Sequence, residues 1–539
     1  MRTHLHPRRT AAAATAAGVL VAGVALGVVH SVTAGAAEPV PPSLATAIRD
    51  LTSEPRYAHS SFAIQVEDRG TGDVLVDERG DAMSTTGSVL KVYDTSTALH
   101  LYGQDHAFHT PVFRTGPVRN GALQGDLVLV ASGDFSMGLR EQPNGTMAFA
   151  SAPKVDHTYA NTGLPAIEVG NDPLTGVNDL AQQVAVSGIT KVRGDVIVDD
   201  RLFDTFFGWP DVSASPASPI MINDNRIDIL STPTKPGQAA QLDYRPKTAA
   251  FRVTSNVKTV KAGGATDLTI TQPKPNVFQV SGTIAADAGP TLRIGEIPNP
   301  ASFARTAFIE ALQRAGVTVT TPPTGDNPVD RLPAKGSFPA DQRVAEHVSG
   351  SLAEIVKVIL KTSHNPGADL MACLDAVASG SKDCEQGLAT VQQYVSKDLG
   401  VDPTALFLFD GAGSDDRDRS AGTAFSTFLR AVDAQPYAAA FQAALPVLGV
   451  DGDLANQGLG TPAVGHVFSK TGTRAAVEPA GVGLINARTQ IGYIDAASGR
   501  KLVFSIMVAD VPFDPADLNT LIQVITDVAN LSVAIYEAY

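Results

Sequence analysis

The chain has 539 residues, of which 44% are hydrophobic and 18% charged, and its formal net charge is −14. This length exceeds what one hydrophobic core normally holds, so we expect two or three domains, and the composition excludes wholesale disorder. An acidic chain without a cluster of lysines and arginines is not expected to bind nucleic acid.

The N-terminus has the pattern of an export signal. Three arginines precede an apolar run over residues 11–29, and the small residues 34–36 resemble a signal-peptidase site. We therefore predict a signal peptide over residues 1–36 and export across the cytoplasmic membrane to the extracellular space or cell wall. An uncleaved membrane anchor is the alternative, because the apolar run is almost long enough to span a bilayer.

Residues 87–103 predict a buried helix that ends at Gly103, because apolar residues recur there at helical spacing. Ser88 opens this helix and Lys91 follows three residues later, so the hydroxyl and the amine share one face. Burial lowers the basicity of a lysine, and a neutral amine can take the proton of a neighbouring hydroxyl. The pair therefore predicts a serine nucleophile with a lysine base. Four other Ser-x-x-Lys segments begin at positions 151, 255, 379 and 498, but none of them opens an apolar helix.

Short strand-like runs separated by turn residues dominate the middle of the chain, interrupted by one predicted amphipathic helix over residues 303–315. We interpret this region as a mostly β insertion that contains a nested all-β module. Strands near both ends of the chain, with helices between them, predict an α/β sandwich around it. The predicted bounds are 37–105 and 344–539 for the outer domain, 106–224 and 292–343 for inserted domain II, and 225–291 for nested domain III.

The two cysteines, Cys373 and Cys384, lie close together in the sequence. In an exported chain such an isolated pair favours a disulfide, which would stabilise the fold by about 2–3 kcal/mol through closure of a short loop. Two free buried thiols are the alternative. Neither a third cysteine nor a His-Glu-x-x-His motif accompanies them, so we predict no metal site and no cofactor.

Two further motifs follow the Ser88–Lys91 pair in order. Ser363-His-Asn365 is the only Ser-x-Asn segment, and Lys470-Thr-Gly-Thr473 contains the only Lys-Thr-Gly, at the end of a strand-like run. This ordered set is similar to the motif set of penicillin-binding proteins and serine β-lactamases. The chain further resembles the D-alanyl-D-alanine carboxypeptidase/endopeptidase family of class C low-molecular-mass penicillin-binding proteins. The resemblance includes residues 125–134, 194–200, 218–225, 280–283, 410–413 and 452–455.

The resemblance implies an α/β, β-lactamase-like transpeptidase domain, a sheet flanked by helices, interrupted by a mostly β insertion of two nested domains. It implies that Ser88 attacks the peptide carbonyl between two D-alanines and forms an acyl-enzyme, with Lys91 as general base. Ser363 would relay the proton to the leaving amine, and Asn365 would position Lys91 and the substrate amide.

The same resemblance implies that residues 470–473 bind the substrate. Lys470 would supply positive charge for the terminal carboxylate, and Thr471 and Thr473 would donate hydrogen bonds to it, with Gly472 between them. The backbone N–H groups of Ser88 and Thr473 would form the oxyanion hole.

Four positions depart from the family pattern. His364 stands where many relatives carry aspartate, and we expect it to point away from the reacting centre. Pro366 and Gly367 are unusual after Asn365 and are expected to distort the start of the next helix. Ala412 replaces a common serine. These departures bear on substrate preference more than on the reaction class.

We interpret the chain as a secreted D,D-peptidase that hydrolyses peptidoglycan stem peptides and is acylated by β-lactam antibiotics. These peptides and antibiotics are its predicted partners. A catalytically silent wall-binding or β-lactam-sensing protein on the same fold is the alternative from another class. A β-lactamase is the third interpretation, and the large insertion argues against it. Carboxypeptidase or endopeptidase preference and the oligomeric state stay open.

Overall fold

The computed structural model describes residues 38–207 and 216–539. The predicted signal peptide over 1–36 lies outside the described residues. The helices are α1 Pro42–Thr52, α2 Lys91–Tyr102, α3 Thr175–Val186, α4 Pro300–Arg314, α5 Leu352–Thr362, α6 Asn365–Ala378, α7 Cys384–Gln393, α8 Gly422–Val432, α9 Ala438–Ala444 and α10 Asn519–Ala538. The strands are β1 Ser61–Asp68, β2 Val74–Glu78, β3 Met83–Thr85, β4 Ala107–Arg114, β5 Val118–Arg119, β6 Ala122–Leu123, β7 Leu127–Val130, β8 Val155–Asp156, β9 Ala166–Ile167, β10 Lys191–Val192, β11 Val196–Asp199, β12 Arg226–Thr232, β13 Gln241–Arg245, β14 Arg252–Val260, β15 Asp267–Lys274, β16 Val277–Ala285, β17 Thr291–Glu296, β18 Thr318–Val319, β19 Arg343–Ser351, β20 Leu406–Phe407, β21 Arg419–Ala421, β22 Val467–Val477, β23 Gly483–Asp495, β24 Lys501–Ala509 and β25 Val511–Phe513.

Strands from the two ends of the chain form one antiparallel sheet in the order β2-β1-β24-β23-β22, and β25 pairs with β23. Successive residues of β24 point to opposite faces, as the two-residue period of a strand requires. Val503 and Met507 join the apolar core that contains α2, α5 and α8. Phe504 and Ile506 join a second core that contains α1 and α10. Helices therefore cover both faces, and the predicted α/β sandwich is confirmed.

Helix α10 is, among residues 38–207 and 216–539, the one helix long and apolar enough to cross a membrane by length and composition. Its residues Val524 and Val528 are buried in the same apolar cluster as Ile64 and Ile506 of the sheet. Packing on the sheet therefore explains the apolar face of α10, which is that of a core helix.

The inserted region contains several small sheets. One has the strand order β11-β7-β4-β19, and two three-stranded sheets, β13-β12-β17 and β14-β16-β15, use residues 226–296. Helices α3 and α4 pack against this region in a separate apolar core. Helix α4 matches the predicted helix, whereas α3 was not predicted, because its glycine, asparagine, threonine and valines give it low intrinsic helix propensity. The division into domains II and III stays a prediction.

A disulfide joins Cys373 in α6 to Cys384, the first residue of α7. Both residues lie in the core shared with α2 and α5. The bridge therefore ties together two helices that pack beside the helix following Ser88.

Candidate active site

Ser88 lies in a tight 3-10 turn, Gly87–Leu90, and helix α2 begins at Lys91. The predicted single helix is thus wrong at its first turn, because a spacing of three residues fits a 3-10 turn as well as an α-helix. The expected proximity is present, since the Lys91 Nζ atom lies 2.8 Å from the Ser88 Oγ atom. Ser88 is partly exposed and Lys91 is fully buried. The hydroxyl can therefore meet a ligand while the amine stays shielded from water.

Lys91 is held by two further acceptors. Its Nζ donates to Asn365 Oδ1 at 2.6 Å and to the carbonyl oxygen of Ala412 at 2.5 Å. Its pKa is lowered to about 7, first by burial and then by the positive charge of Lys470. Near neutral pH a large fraction of the amine is therefore uncharged, which is the state a general base needs.

The carbonyl of Ala412 is fixed by a loop folded around Asp410. The Asp410 Oδ1 atom accepts hydrogen bonds from the backbone N–H groups of Ala412 at 2.8 Å and Gly413 at 2.5 Å. Backbone N–H groups of the next two residues also donate to this carboxylate. Because Lys91 contacts only the backbone of residue 412, the substitution of alanine for serine leaves that contact available.

Ser363 and Asn365 lie at the junction of two helices. Ser363 follows α5 in a left-handed conformation, with φ of 59°, and Asn365 begins α6. The reversal directs Asn365 toward Lys91, so the structure brings these two predicted residues together. Ser363 is partly exposed, and the predicted proton relay through its hydroxyl stays a prediction.

Tyr159, from the inserted region, contacts this junction directly. Its hydroxyl donates to the backbone carbonyl of Ser363 and lies 3.1 Å from Asn365 Oδ1, the atom that also accepts from Lys91. Tyr159 was not predicted, because no motif surrounds it and 204 residues separate it from Ser363. The insertion thus supplies a side chain that holds the second motif.

His364 faces into the inserted region. Its Nδ1 accepts from the backbone N–H of Gly367 at 2.9 Å and caps α6, and its Nε2 lies 3.3 Å from Asp224 Oδ2. Pro366 occupies the first turn of α6, where proline fits without loss of a helical hydrogen bond. The expected distortion of this helix start is therefore wrong.

Asp224 is the centre of a buried ionic network. It accepts from Arg140 at 2.8 Å and from His157 Nε2 at 2.6 Å, and Arg140 also pairs with Asp156 at 2.8 Å. Burial alone would lower the pKa of His157, but Asp228 and then Asp224 raise it to about 10. Asp156, Asp224 and His364 have their ligand atoms close enough for a metal ion, but Arg140 already pairs with both carboxylates.

The backbone around Asp224 is strained. Residues 223, 224 and 225, none of them glycine, have φ values of 54°, 54° and 53°. Each such residue costs on the order of 1–3 kcal/mol and persists only where its surroundings over-determine it. Here the ion pairs of Asp224 supply that constraint. They connect the strained turn to His364 and to His157, which lies two residues before Tyr159.

The Lys-Thr-Gly motif lies inside β22, which continues to Val477. The expectation that it ends a strand is wrong, because β23 pairs with β22 along the whole motif. Lys470 is fully buried, its pKa is lowered by burial, and its Nζ donates to the Thr471 carbonyl at 2.5 Å. Thr473 Oγ1 accepts from Arg488 at 2.9 Å.

Gly472 allows β22 to lie against the turn that carries Ser88. A Cβ atom at this position would be 2.3 Å from Thr489 Oγ1, 2.7 Å from the Thr86 carbonyl oxygen and 2.9 Å from the Ser88 backbone nitrogen. No other residue type fits such an approach without movement of the backbone. The glycine thus sets the separation between the first and third motifs.

Two charged residues beside the third motif were not predicted. Arg488 lies opposite Thr473 on β23, and burial lowers its pKa to about 10. Asp453 lies 3.5 Å from Lys470 Nζ and accepts from the Thr471 hydroxyl. Asp453 falls within the segment 452–455 noted from the sequence, but its contact with Lys470 depends on folding.

The sequence pattern of the D-Ala-D-Ala carboxypeptidase 3 (S13) family matches residues 44–530. The chain belongs to this family. The resemblance stated from the motifs is confirmed, and family membership makes the chain a serine-type D-Ala-D-Ala peptidase. The D-alanyl-D-alanine carboxypeptidase of Actinomadura sp. (strain R39) is 28% identical over 479 residues, which cover 85% of this chain and 79% of that relative.

Solved structures share the fold. Penicillin-binding protein 4 from Haemophilus influenzae superposes with a TM-score of 0.68 at 19% identity, covering 91% of this chain and 99% of that chain. The same protein complexed with a β-lactam gives a TM-score of 0.65 at 18% identity, covering 92% and 99%. At these identities the likeness establishes the architecture, and the roles of individual residues are argued from this chain.

Proposed function

We propose that this S13 peptidase hydrolyses peptidoglycan stem peptides ending in D-Ala-D-Ala through an acyl-enzyme on Ser88. The observation that carries the proposal is the 2.8 Å contact between Ser88 Oγ and a fully buried Lys91 whose pKa is about 7. A base with a pKa near the working pH combines a useful fraction of neutral amine with adequate basicity.

In acylation, Lys91 takes the proton of Ser88 as the serine oxygen attacks the carbonyl between the two D-alanines. Backbone N–H groups of Ser88 and Thr473 stabilise the developing oxyanion. The C–N bond breaks, and the leaving amine receives a proton through Ser363 or Lys91. Water then attacks the ester, with Lys91 again as base, and frees Ser88.

The terminal carboxylate of the peptide is received by the third motif. Lys470 provides positive charge, and the hydroxyls of Thr471 and Thr473 donate hydrogen bonds. Arg488 supports this pocket by its hydrogen bond to Thr473 Oγ1. Binding of the carboxylate places the scissile carbonyl beside Ser88 and holds it in an orientation suited to attack by the serine oxygen.

β-Lactams fit the same pocket, because they present a strained amide beside a carboxylate. The Haemophilus influenzae relative was solved with a β-lactam, which supports extending this chemistry to the present chain. Attack by Ser88 opens the ring and leaves the acyl group on the enzyme.

The enzyme is proposed to act outside the cytoplasmic membrane. The N-terminal pattern predicts a signal peptide, and the disulfide between Cys373 and Cys384 suits an oxidising compartment. Two relatives are named D-alanyl-D-alanine carboxypeptidases, which agrees with a peptide substrate located in the cell wall.

Substitution of the two lysines of the site distinguishes a peptidase from a catalytically silent binding protein. Lys91→Ala removes the base but keeps the carboxylate pocket, so release of D-alanine from an N-acylated D-Ala-D-Ala peptide should fall by about 10²–10⁴-fold while binding persists. Lys470→Ala should weaken both binding and turnover. Lys357→Ala, which removes a partly exposed lysine paired with Glu354, is the matched control and should behave as the native protein.

Turnover and calorimetric binding are measured on each variant, together with its melting temperature. A native protein that binds the peptide but releases no D-alanine, with Lys91→Ala binding it equally well, would overturn the peptidase in favour of a silent binder.

A further inference from the structure

Asp453 places a carboxylate inside the pocket that is proposed to receive the substrate carboxylate. It lies in a short 3-10 turn, Gly452–Leu454, beside β22. Its Oδ2 accepts from the Thr471 hydroxyl and lies 3.5 Å from Lys470 Nζ. These are two of the groups to which the third-motif chemistry assigns the carboxylate of the peptide.

The charges of this pocket depend on Asp453. Lys470 and Arg488 are both buried, and burial lowers the pKa of each. Within residues 38–207 and 216–539, Asp453 is the one acid that offsets this effect on both cations. The pocket therefore contains its own anion, and an arriving carboxylate meets a like charge as well as two cations.

The Asp453 side chain is not fixed by a separate hydrogen-bond network outside the substrate pocket. Its side chain is 26% exposed, and its buried Oδ1 atom has no hydrogen-bond partner among the described residues. By contrast, neighbouring Asp451 is bound by Lys361 through both carboxylate oxygens, at 2.6 and 2.8 Å. Asp453 is thus tied to the fold mainly through the groups of the substrate pocket.

We propose that Asp453 is a specificity-determining residue whose carboxylate occupies the place assigned to the substrate carboxylate and weakens the binding of anionic C-termini. The inference rests on the proposed function of Lys470 and Thr471. A bound peptide carboxylate must break the hydrogen bond between Asp453 and Thr471 and must share Lys470 with Asp453. The repulsion between the two carboxylates therefore discriminates against peptides with a charged C-terminus. A C-terminal carboxamide bears no charge and escapes the repulsion.

Asp453→Asn tests this because asparagine keeps the size of the side chain and an oxygen acceptor for Thr471, but removes the charge. Binding is measured by calorimetry at low salt in a Ser88→Ala background, which prevents turnover. The probes are an N-acylated D-Ala-D-Ala peptide and the same peptide with a C-terminal carboxamide. Asp50→Asn, at an exposed residue of α1, is the control for a lost negative charge.

The dissociation constant of the carboxylate peptide should fall by about tenfold in Asp453→Asn, while that of the carboxamide stays unchanged. A tenfold change corresponds to about 1.4 kcal/mol. An unchanged or raised dissociation constant for the carboxylate peptide would overturn the proposal, because a residue that merely supports Thr471 gives that result. An equal fall for both peptides would overturn it too.

This outcome is separable from the proposed function. Acylation of protein with an intact Ser88 by labelled penicillin reports the peptidase chemistry, whereas the ratio of the two dissociation constants reports Asp453. Acylation without a change in that ratio contradicts only the inference on Asp453, and a changed ratio without acylation contradicts only the peptidase chemistry.

Discussion

The two sides of the site are held by different physical means. On one side, β22 lies against the Ser88 turn through backbone approach at Gly472. On the other side, the segment from Ser363 to Asn365 is held by the Tyr159 hydroxyl and, through His364, by the buried charges around Asp224. The first arrangement depends on the absence of a side chain, and the second on side chains supplied by the insertion.

This difference indicates how the insertion contributes to catalysis. Close backbone contact sets the distance between nucleophile and carboxylate pocket, which tolerates little adjustment. The Tyr159 contact instead tunes the orientation of Asn365 and hence of Lys91. A change on the first side should therefore affect the reaction more than a comparable change on the second.

The largest effect is expected from Gly472→Ala. The added Cβ would overlap backbone and side-chain atoms at 2.3–2.9 Å, so the Ser88 turn and β22 must separate. Displacement of reacting groups by about 1 Å costs on the order of 10²-fold in rate, and we expect at least this loss in the rate of acylation by penicillin. Gly289→Ala, where an added Cβ meets nothing within 4 Å, is the control. A near-native rate for Gly472→Ala would refute the close-approach account.

A smaller effect is expected from Tyr159→Phe. Loss of one hydrogen bond to the second motif should reduce kcat by about tenfold with little change in KM.

Activity of the native enzyme should rise with pH through about 7, because the neutral Lys91 amine is the base. In Tyr159→Phe the midpoint should move upward, since Asn365 Oδ1 is freed to accept more strongly from the charged Lys91.

The pH profile separates positioning from mere structural support. Tyr244→Phe, at a partly buried tyrosine of β13, is the matched control and should keep both kcat and the midpoint. If Tyr159→Phe retained the native kcat and midpoint, the insertion would have no part in setting Lys91.

Much of this arrangement could be predicted because it depends on local pattern. Strand-like runs near both ends of the chain predicted the central sheet, and motif order and spacing identified Ser88, Lys91, Asn365 and Lys470 as candidates. The family resemblance rested on these motifs together with further segments such as 125–134 and 452–455. Local pattern was less reliable at element ends, where the turn before α2 and the continuation of β22 through Gly472 depend on pairing with distant strands.

The remaining residues could not be found in this way, because tertiary packing alone brings them to the site. Tyr159 meets Ser363 across 204 residues of sequence. Asp453 lies in the segment 452–455 noted from the sequence, but its contact with Lys470 arises only in the folded chain. Asparagine and aspartate tolerate the left-handed conformation of residues 223–225, but the ion pairs of Asp224 arise only in the folded chain.

The most direct test of the account is the site of acylation. Labelled penicillin is added to the native protein, and the modified residue is mapped by mass spectrometry of its peptides. We predict one adduct, on Ser88, which is lost in Ser88→Ala and retained in Ser151→Ala, where a Ser-x-x-Lys spacing occurs outside the site. An adduct mapped to any other serine, or labelling that survives in Ser88→Ala, would contradict the central claim.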